Sequence, residues 1–334
     1  MPEGHSVHRI ARQMTANFVG QVCNASSPQG RFAQGAEQLT GRTMLRCFAV
    51  GKQMFAEFDG GLWLRVHLGI YGAWDFAGEI YTTLGQTGEY GRAARGVWDG
   101  TARDADAEDS MSSIGAPRRA RMRMAESEKT DAAGASVVAD AWPPEPVGAV
   151  RLRLMTETTL ADLRGPTVCE LLDEAGVDAV LDRLGPDPLV GDLAAGEAKF
   201  VAAVRRRRAP IGQLLMDQSV VAGIGNIYRA EMLYRARLDP FVPGNEVPES
   251  VLRSLWHDWV DLLNIGVEVG RMMTIPGLTG ADYQLALNDV RHRHWVYGRA
   301  GEPCRTCGTN IALTEMQNRK LYWCPSCQVA PTAA

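Results

Sequence analysis

Cys304 and Cys307, then Cys324 and Cys327, stand as C-x2-C, sixteen residues, C-x2-C. Each pair can place two thiolates on one tetrahedral ion, and the residues between suit a β-hairpin. Two disulfides or a redox pair use the same spacing. The first residues lack the charged-then-apolar pattern of a secretion signal, so a disulfide framework is disfavoured and one structural zinc ion is expected. A closed four-thiolate shell has no open position, so this metal does no catalysis. The stretch TEMQNRKLYW between the pairs puts Arg319 and Lys320 near a hairpin tip. A rigid basic tip suits phosphate contact, as it also suits solvent.

The other end of the chain, MPEGHSVHRIARQM, carries a second chemistry. The small Pro2 permits removal of Met1, which exposes a secondary amine. An α-amino group has a pKa of about 7.7–8.0, so far more of it is uncharged at neutral pH than of a lysine. Its condensation with a sugar carbonyl carbon gives an iminium with no N–H to lose, an electron sink for elimination, and Glu3 stands next to it as a proton shuttle. Taken alone, Pro-Glu is also an ordinary N-terminus.

Two glycine-punctuated stretches come between. In VAGIGNIYRAE, Gly223 and Gly225 permit a sharp turn and Asn226 opens a helix whose start can hold an anion. An ordinary helical hairpin with an Asn cap looks the same, and no nucleotide-loop lysine follows. In VHLGIYGAW a strand runs into a tight Gly69–Gly72 turn with Ile70 and Tyr71 at its tip. Apolar wedges of this kind unstack bases in DNA-bending proteins, although the turn can equally fold back on the core. Lys52 after Gly51 and the run RRRR at 205–208 read, in isolation, as surface charge.

The elements that must position these residues are legible in the pattern. Val7, Ile10, Ala11, Met14 and Phe18 have helical spacing, with Gly20 as a stop. The runs TMLRCFAV, QMFAEF and LWLRVHL, separated by GK and DGG, read as strands, as does VRLRLM from Val150. Residues 1–185 are therefore expected as an N-terminal β-sandwich with a leading helix. Within it, residues 86–146 are expected as a mostly disordered insertion, because Asp99 to Ala141 contains no Trp, Tyr or Phe. Residues 186–298 read as helical, with helices over 197–207, from Pro210 and over 251–273. Residues 299–330 form the cysteine module. The whole is an α+β chain.

The bulk numbers agree with an ordinary globular protein: 334 residues, 46% hydrophobic, 22% charged, and no apolar run of the length a membrane span needs. A cytoplasmic protein, nucleoid-associated if bacterial, is expected. The net charge of −4 argues against a nucleic-acid partner only on average. Glu157 to Glu197 holds ten acidic residues against Arg164 and Arg183, while Arg291 to Lys320 holds six basic residues against Glu302 and Glu315. Local patches decide DNA binding. Cys23, Cys47 and Cys169 are expected to be buried as small apolar residues.

Jointly these stretches resemble the formamidopyrimidine-DNA glycosylase/endonuclease VIII family of base-excision repair enzymes. MPEG, GK, HLGxxG, GIGNIY and the ribbon ending CPSCQ occur in family order. The resemblance implies Pro2 as the nucleophile at C1′ and Glu3 as the acid/base. It implies phosphate contacts from Lys52, Asn226 and Arg319, a backbone contact from His67, and a void-filling wedge of Ile70 and Tyr71. Arg164, in DLRGP, matches an arginine that enters the helix from a neighbouring loop. A helix–two-turn–helix domain, a zinc ribbon, base flipping, and β- then δ-elimination follow from the same resemblance. The implied partner is double-stranded DNA with oxidised bases or abasic sites, bound by a monomer. MPEG and the IYG tip are more similar to the endonuclease VIII branch, which prefers oxidised pyrimidines. Ser6 and Gly69 depart from residues common in the family, and both departures bear on lesion range.

Overall fold

Helix α1 (Gly4–Phe18) begins as soon as the backbone leaves Glu3, its extended N-cap at φ −125° and ψ −174°. Val7, Ile10, Met14 and Phe18 line its core face and are at most 2% exposed. Truncating Phe18 to Ala would cost about 3–5 kcal/mol by the usual penalty for such a cavity. The computed structural model describes residues 2–82, 94–98, 113–116 and 142–331.

Behind α1, ten antiparallel strands form one sheet that folds around a shared core. The strands are β1 (Val22–Ser26), β2 (Arg42–Val50), β3 (Gln53–Phe58), β4 (Leu62–His67), β5 (Ala73–Thr82), β6 (Ala94–Trp98), β7 (Ser113–Gly115), β8 (Val150–Met155), β9 (Thr159–Arg164) and β10 (Val168–Leu172). Their order is β10-β4-β3-β2-β1-β8-β9-β5-β6, with β7 also on β5. Met44, Phe58 and Leu64 from one half share a core with Trp74, Leu152 and Leu163 from the other, with α1 packed into it. That is the expected sandwich with a leading helix. Helix α2 (Ala33–Leu39) follows β1. Helix α3 (Glu174–Leu181) packs Val177 against Phe55 and Trp63 on the outer face.

Within 86–146, expected as mostly disordered, two short segments are strands. β6 pairs with residues 78–82 of β5 and β7 with residues 73–75. An exposed strand edge supplies backbone hydrogen bonds to any segment that reaches it, so these strands need little side-chain signal. Ile114, the middle residue of β7, is fully buried. The rest of that span lies outside the described residues, apart from residues 116 and 142–146.

The chain divides into a unit ending at Asp182 and another beginning at Arg183. The second contains α4 (Leu193–Arg205), α5 (Ile211–Leu214), α6 (Asn226–Arg235), α7 (Glu249–Val269), α8 (Gly280–Asn288) and the ribbon strands β11 (Ala312–Met316) and β12 (Arg319–Trp323). Asp192 caps α4 through the Ala195 N–H. Pro210 stands one residue before α5, as its N-cap rather than its first residue. Helix α7 starts after Pro248 and ends at Gly270, φ +72°, where a left-handed residue closes a helix most easily. Its stripe of Leu252, Leu255, Trp256, Trp259, Leu262 and Leu263 makes the core of this unit. β11 and β12 join through Gln317 and Asn318, both at positive φ, as a two-residue hairpin with the right twist requires.

Candidate active site and nucleic-acid interface

Each unit carries one group of the expected residues. In the first, Pro2 and Glu3 are buried, Glu3 completely, and the Glu3 carbonyl accepts the N–H groups of Ser6 and Val7. A helix at a protein surface normally turns its polar side to water. Here His5, Ser6, His8 and Arg9 are all buried as well. The start of α1 is thus polar and buried at once, an environment packing alone would not select.

Lys52 and His67 meet at one end of the sheet. Val50 pairs with Gln53, so Gly51 and Lys52 are a two-residue turn, and Gln53 in turn faces His67 across β3 and β4. Burial, then the positive charges of Lys52 and Arg65, hold the His67 imidazole down to about 4. It is therefore neutral at neutral pH, a donor but not a cation. After His67 the chain turns through Gly69, φ +67°, where a Cβ would sit 1.9 Å from Thr167 Oγ1. Ile70 is 42% exposed at the tip and Tyr71 is half-buried.

Arg164 does not stand on a loop as expected. It is the last residue of β9, paired with Ala73 and Val150. Its guanidinium is tied to the carboxylate of Asp75, and its Nε donates to the Val147 carbonyl at 2.8 Å. Burial pulls it down to about 10. The ion pair with Asp75 commits it to the sheet.

In the second unit, Asn226 is the first residue of α6, after the N-cap Gly225. The preceding loop is held by Gln218, whose amide donates to Met216 and Ile224 and accepts from the Gly223 N–H. Asn226 Nδ2 donates to the Lys320 carbonyl at 2.9 Å, and its Oδ1 accepts from the buried Arg229. Arg229 reaches the same carbonyl at 3.3 Å. The helix start is thereby joined to the ribbon tip, beside the exposed Arg319. Farther along α6, the buried Glu231 accepts from Thr274 Oγ1 and the N–H groups of Trp295, Val296 and Tyr297. Gln218, Arg229 and Glu231 were not singled out in the sequence. The one signal was a glutamate inside the apolar run IYRAEML.

The four cysteine Sγ atoms lie within 4.8 Å of one another. Thiolates at about 2.3 Å from a tetrahedral ion are about 3.8 Å apart. The Cys304–Cys327 and Cys307–Cys324 separations are 3.8 and 3.5 Å. Four soft donors at that spacing fit zinc, so the quartet is a structural zinc site. Burial pushes the Cys23 and Cys169 thiols up to about 12, and Cys47 rises for the same reason. Those three stay protonated and inert.

A buried Pro-Glu helix start, a helix–turn–helix tied to a basic hairpin and a four-cysteine ribbon define the frame of a base-excising DNA repair enzyme. Residues 1–168 match the formamidopyrimidine-DNA glycosylase N-terminal domain, residues 184–275 its H2TH domain, and residues 301–329 the zinc finger found in FPG and IleRS. The chain is 37% identical over 328 residues to Endonuclease 8 1 of Mycobacterium tuberculosis, covering 98% of this chain and 100% of that protein. It is 36% identical to the formamidopyrimidine-DNA glycosylase of Thermus thermophilus over 154 residues, 45% of this chain and 55% of the relative. In fold it is similar to the Lactococcus lactis Fpg in complex with abasic-site DNA, with a TM-score of 0.66, 21% identity, and coverage of 98% and 99% of the two chains. The chain belongs to the formamidopyrimidine-DNA glycosylase family and is a DNA glycosylase of base-excision repair. No helix among the described residues is long and apolar enough to cross a membrane.

Proposed function

We propose that this chain is a bifunctional DNA glycosylase and abasic-site lyase that removes oxidised pyrimidines from duplex DNA as a monomer. The observation that carries the reading is the placement of Pro2 and Glu3, both buried and both immediately ahead of α1. Removal of Met1 turns the Pro2 nitrogen into a secondary amine. The positive end of the α1 dipole disfavours its protonated form and favours a Glu3 carboxylate. The amine attacks C1′ of a flipped nucleotide, an N–C1′ bond forms, and the C1′–base bond breaks with its electrons leaving on the base. Glu3 supplies the proton that opens the sugar ring. Loss of a C2′ proton from the iminium expels the 3′ phosphate, and a second elimination expels the 5′ phosphate. The product is a one-nucleotide gap with phosphate ends.

Lys52 and neutral His67 hold the DNA backbone beside the lesion, while Asn226 and Arg319 grip phosphates from the second unit. Ile70 and Tyr71 fill the space left by the flipped base. Arg164 is held by Asp75 in the free chain and is given no role in this reading. The pyrimidine preference is supported by the full-length likeness to a protein named Endonuclease 8 1, against partial matches to proteins named formamidopyrimidine-DNA glycosylase. Borohydride reduction on abasic-site DNA tests the chemistry. A covalent adduct is expected with the native chain and none with a chain whose Pro2 nitrogen is blocked as an amide by an N-terminal extension. Retention of the adduct in the extended chain would overturn the proposal. Excision from 5,6-dihydrouracil and 8-oxoguanine duplexes tests the preference, which fails if 8-oxoguanine is released faster.

A further inference from the structure

Helix α6 ends in an unusual way. The Leu238 N–H bonds to the Leu233 carbonyl and the Arg237 N–H to the Tyr234 carbonyl, the paired closure that puts its penultimate residue in the left-handed region. Glycine is the residue that takes this position without strain. Here it is Arg237, at φ +55°. A bulky residue held there points to a task for its side chain. The Arg237 guanidinium lies 4.8 Å from the centre of the Tyr234 ring, and its Nη2 reaches Thr306 Oγ1 at 3.3 Å. Thr306 Oγ1 is 2.7 Å from the Tyr234 hydroxyl, which is 3.2 Å from Cys304 Sγ.

These contacts have one consistent direction when the quartet holds zinc. A metal-bound thiolate only accepts, so the Tyr234 hydroxyl donates its single proton to Cys304. Thr306 must then donate to the Tyr234 oxygen, and Arg237, which only donates, completes the row. We propose that Tyr234 is a positioning residue for the metal: Arg237, Thr306 and Tyr234 form a one-way chain of donors that ends on the Cys304 sulfur and holds zinc in the ribbon. Each donor polarises the next, and the guanidinium charge at the far end strengthens the whole row. Outer-shell partners of this kind fix a ligand's orientation and slow metal loss. The Tyr234 ring also stacks on Trp295 at 5.4 Å, so the hydroxyl can be removed while the ring stays in place.

The test uses zinc-loaded full-length protein challenged with the chelating dye 4-(2-pyridylazo)resorcinol. Tyr234→Phe is expected to release zinc about 10-fold faster than the native chain. In cobalt-substituted protein the thiolate-to-metal charge-transfer band should move to lower energy, because the sulfur lone pairs lose a donor. Arg237→Gly separates this role from simple packing. It relieves the backbone strain, so its denaturation midpoint in excess zinc should not fall, yet its zinc release should quicken. Native release rates in both variants would overturn the proposal. Should Tyr234→Phe fail to fold, Arg237→Gly decides alone: faster release with an unchanged midpoint supports the chain, and a native rate refutes it.

Discussion

The start of α1 carries the proposed nucleophile and the start of α6 the proposed phosphate contact, and the two differ in what surrounds them. Neither N-cap residue satisfies its helix with a side-chain oxygen. At α1 every residue from Pro2 to Ala11 is buried, polar residues included. At α6 side-chain hydrogen bonds tie the helix to the ribbon at Lys320 and to the segment 295–297. A nucleophile needs a fixed atom in a dry place. A phosphate grip needs two elements held in register, and there a metal and a polar network do the fixing.

That contrast breaks first at the metal. Cys324→Ala, or zinc removal by a chelator, should unfold the ribbon and abolish tight DNA binding, since structural zinc contributes on the order of 10 kcal/mol. Circular dichroism should show the strands of the first unit retained. A joint collapse would mean the units are not fixed independently. Glu231→Leu comes next, with about 3–5 kcal/mol lost in a urea titration, because three backbone N–H groups, one buried and two partly buried, are left without an acceptor. A loss under about 1 kcal/mol would show that the segment 295–297 does not depend on this anchor.

His67 titrates near 4 in the folded chain, against about 6.5 unfolded. As pH falls from about 6.5 to about 4 the unfolded chain binds the proton first, so stability should fall by about 1–3 kcal/mol over that window. His67→Gln should flatten this part of the profile of denaturation midpoint against pH. Smallest of all is Arg319→Ala: stability within about 0.5 kcal/mol, and a slope of log K against log salt reduced by about one. An unchanged slope would remove Arg319 from the phosphate grip.

Local pattern carried much of this into the sequence. QMFAEF and VRLRLM are β3 and β8 to the residue, because short runs rich in apolar residues bounded by turn residues read as strands. The cysteine spacing carried the ribbon for a similar reason: metal geometry constrains neighbours in sequence. The ion pair of Arg164 is not legible in the sequence, because Asp75 is brought to it only by the β5–β9 pairing. β6 and β7 escaped notice because an edge of β5, and not their own composition, makes them strands. Gln218, Glu231 and Tyr234 were invisible for the same physical reason. Their partners are backbone groups or side chains that only the folded chain brings near.

The most direct test of the division of labour is to map the borohydride-trapped adduct on abasic-site DNA by peptide mass spectrometry. The sugar remnant should be found on the N-terminal peptide, on the nitrogen of Pro2 with Met1 absent. A remnant on Lys52, or on any residue of the second unit, would contradict the assignment of covalent chemistry to the start of α1.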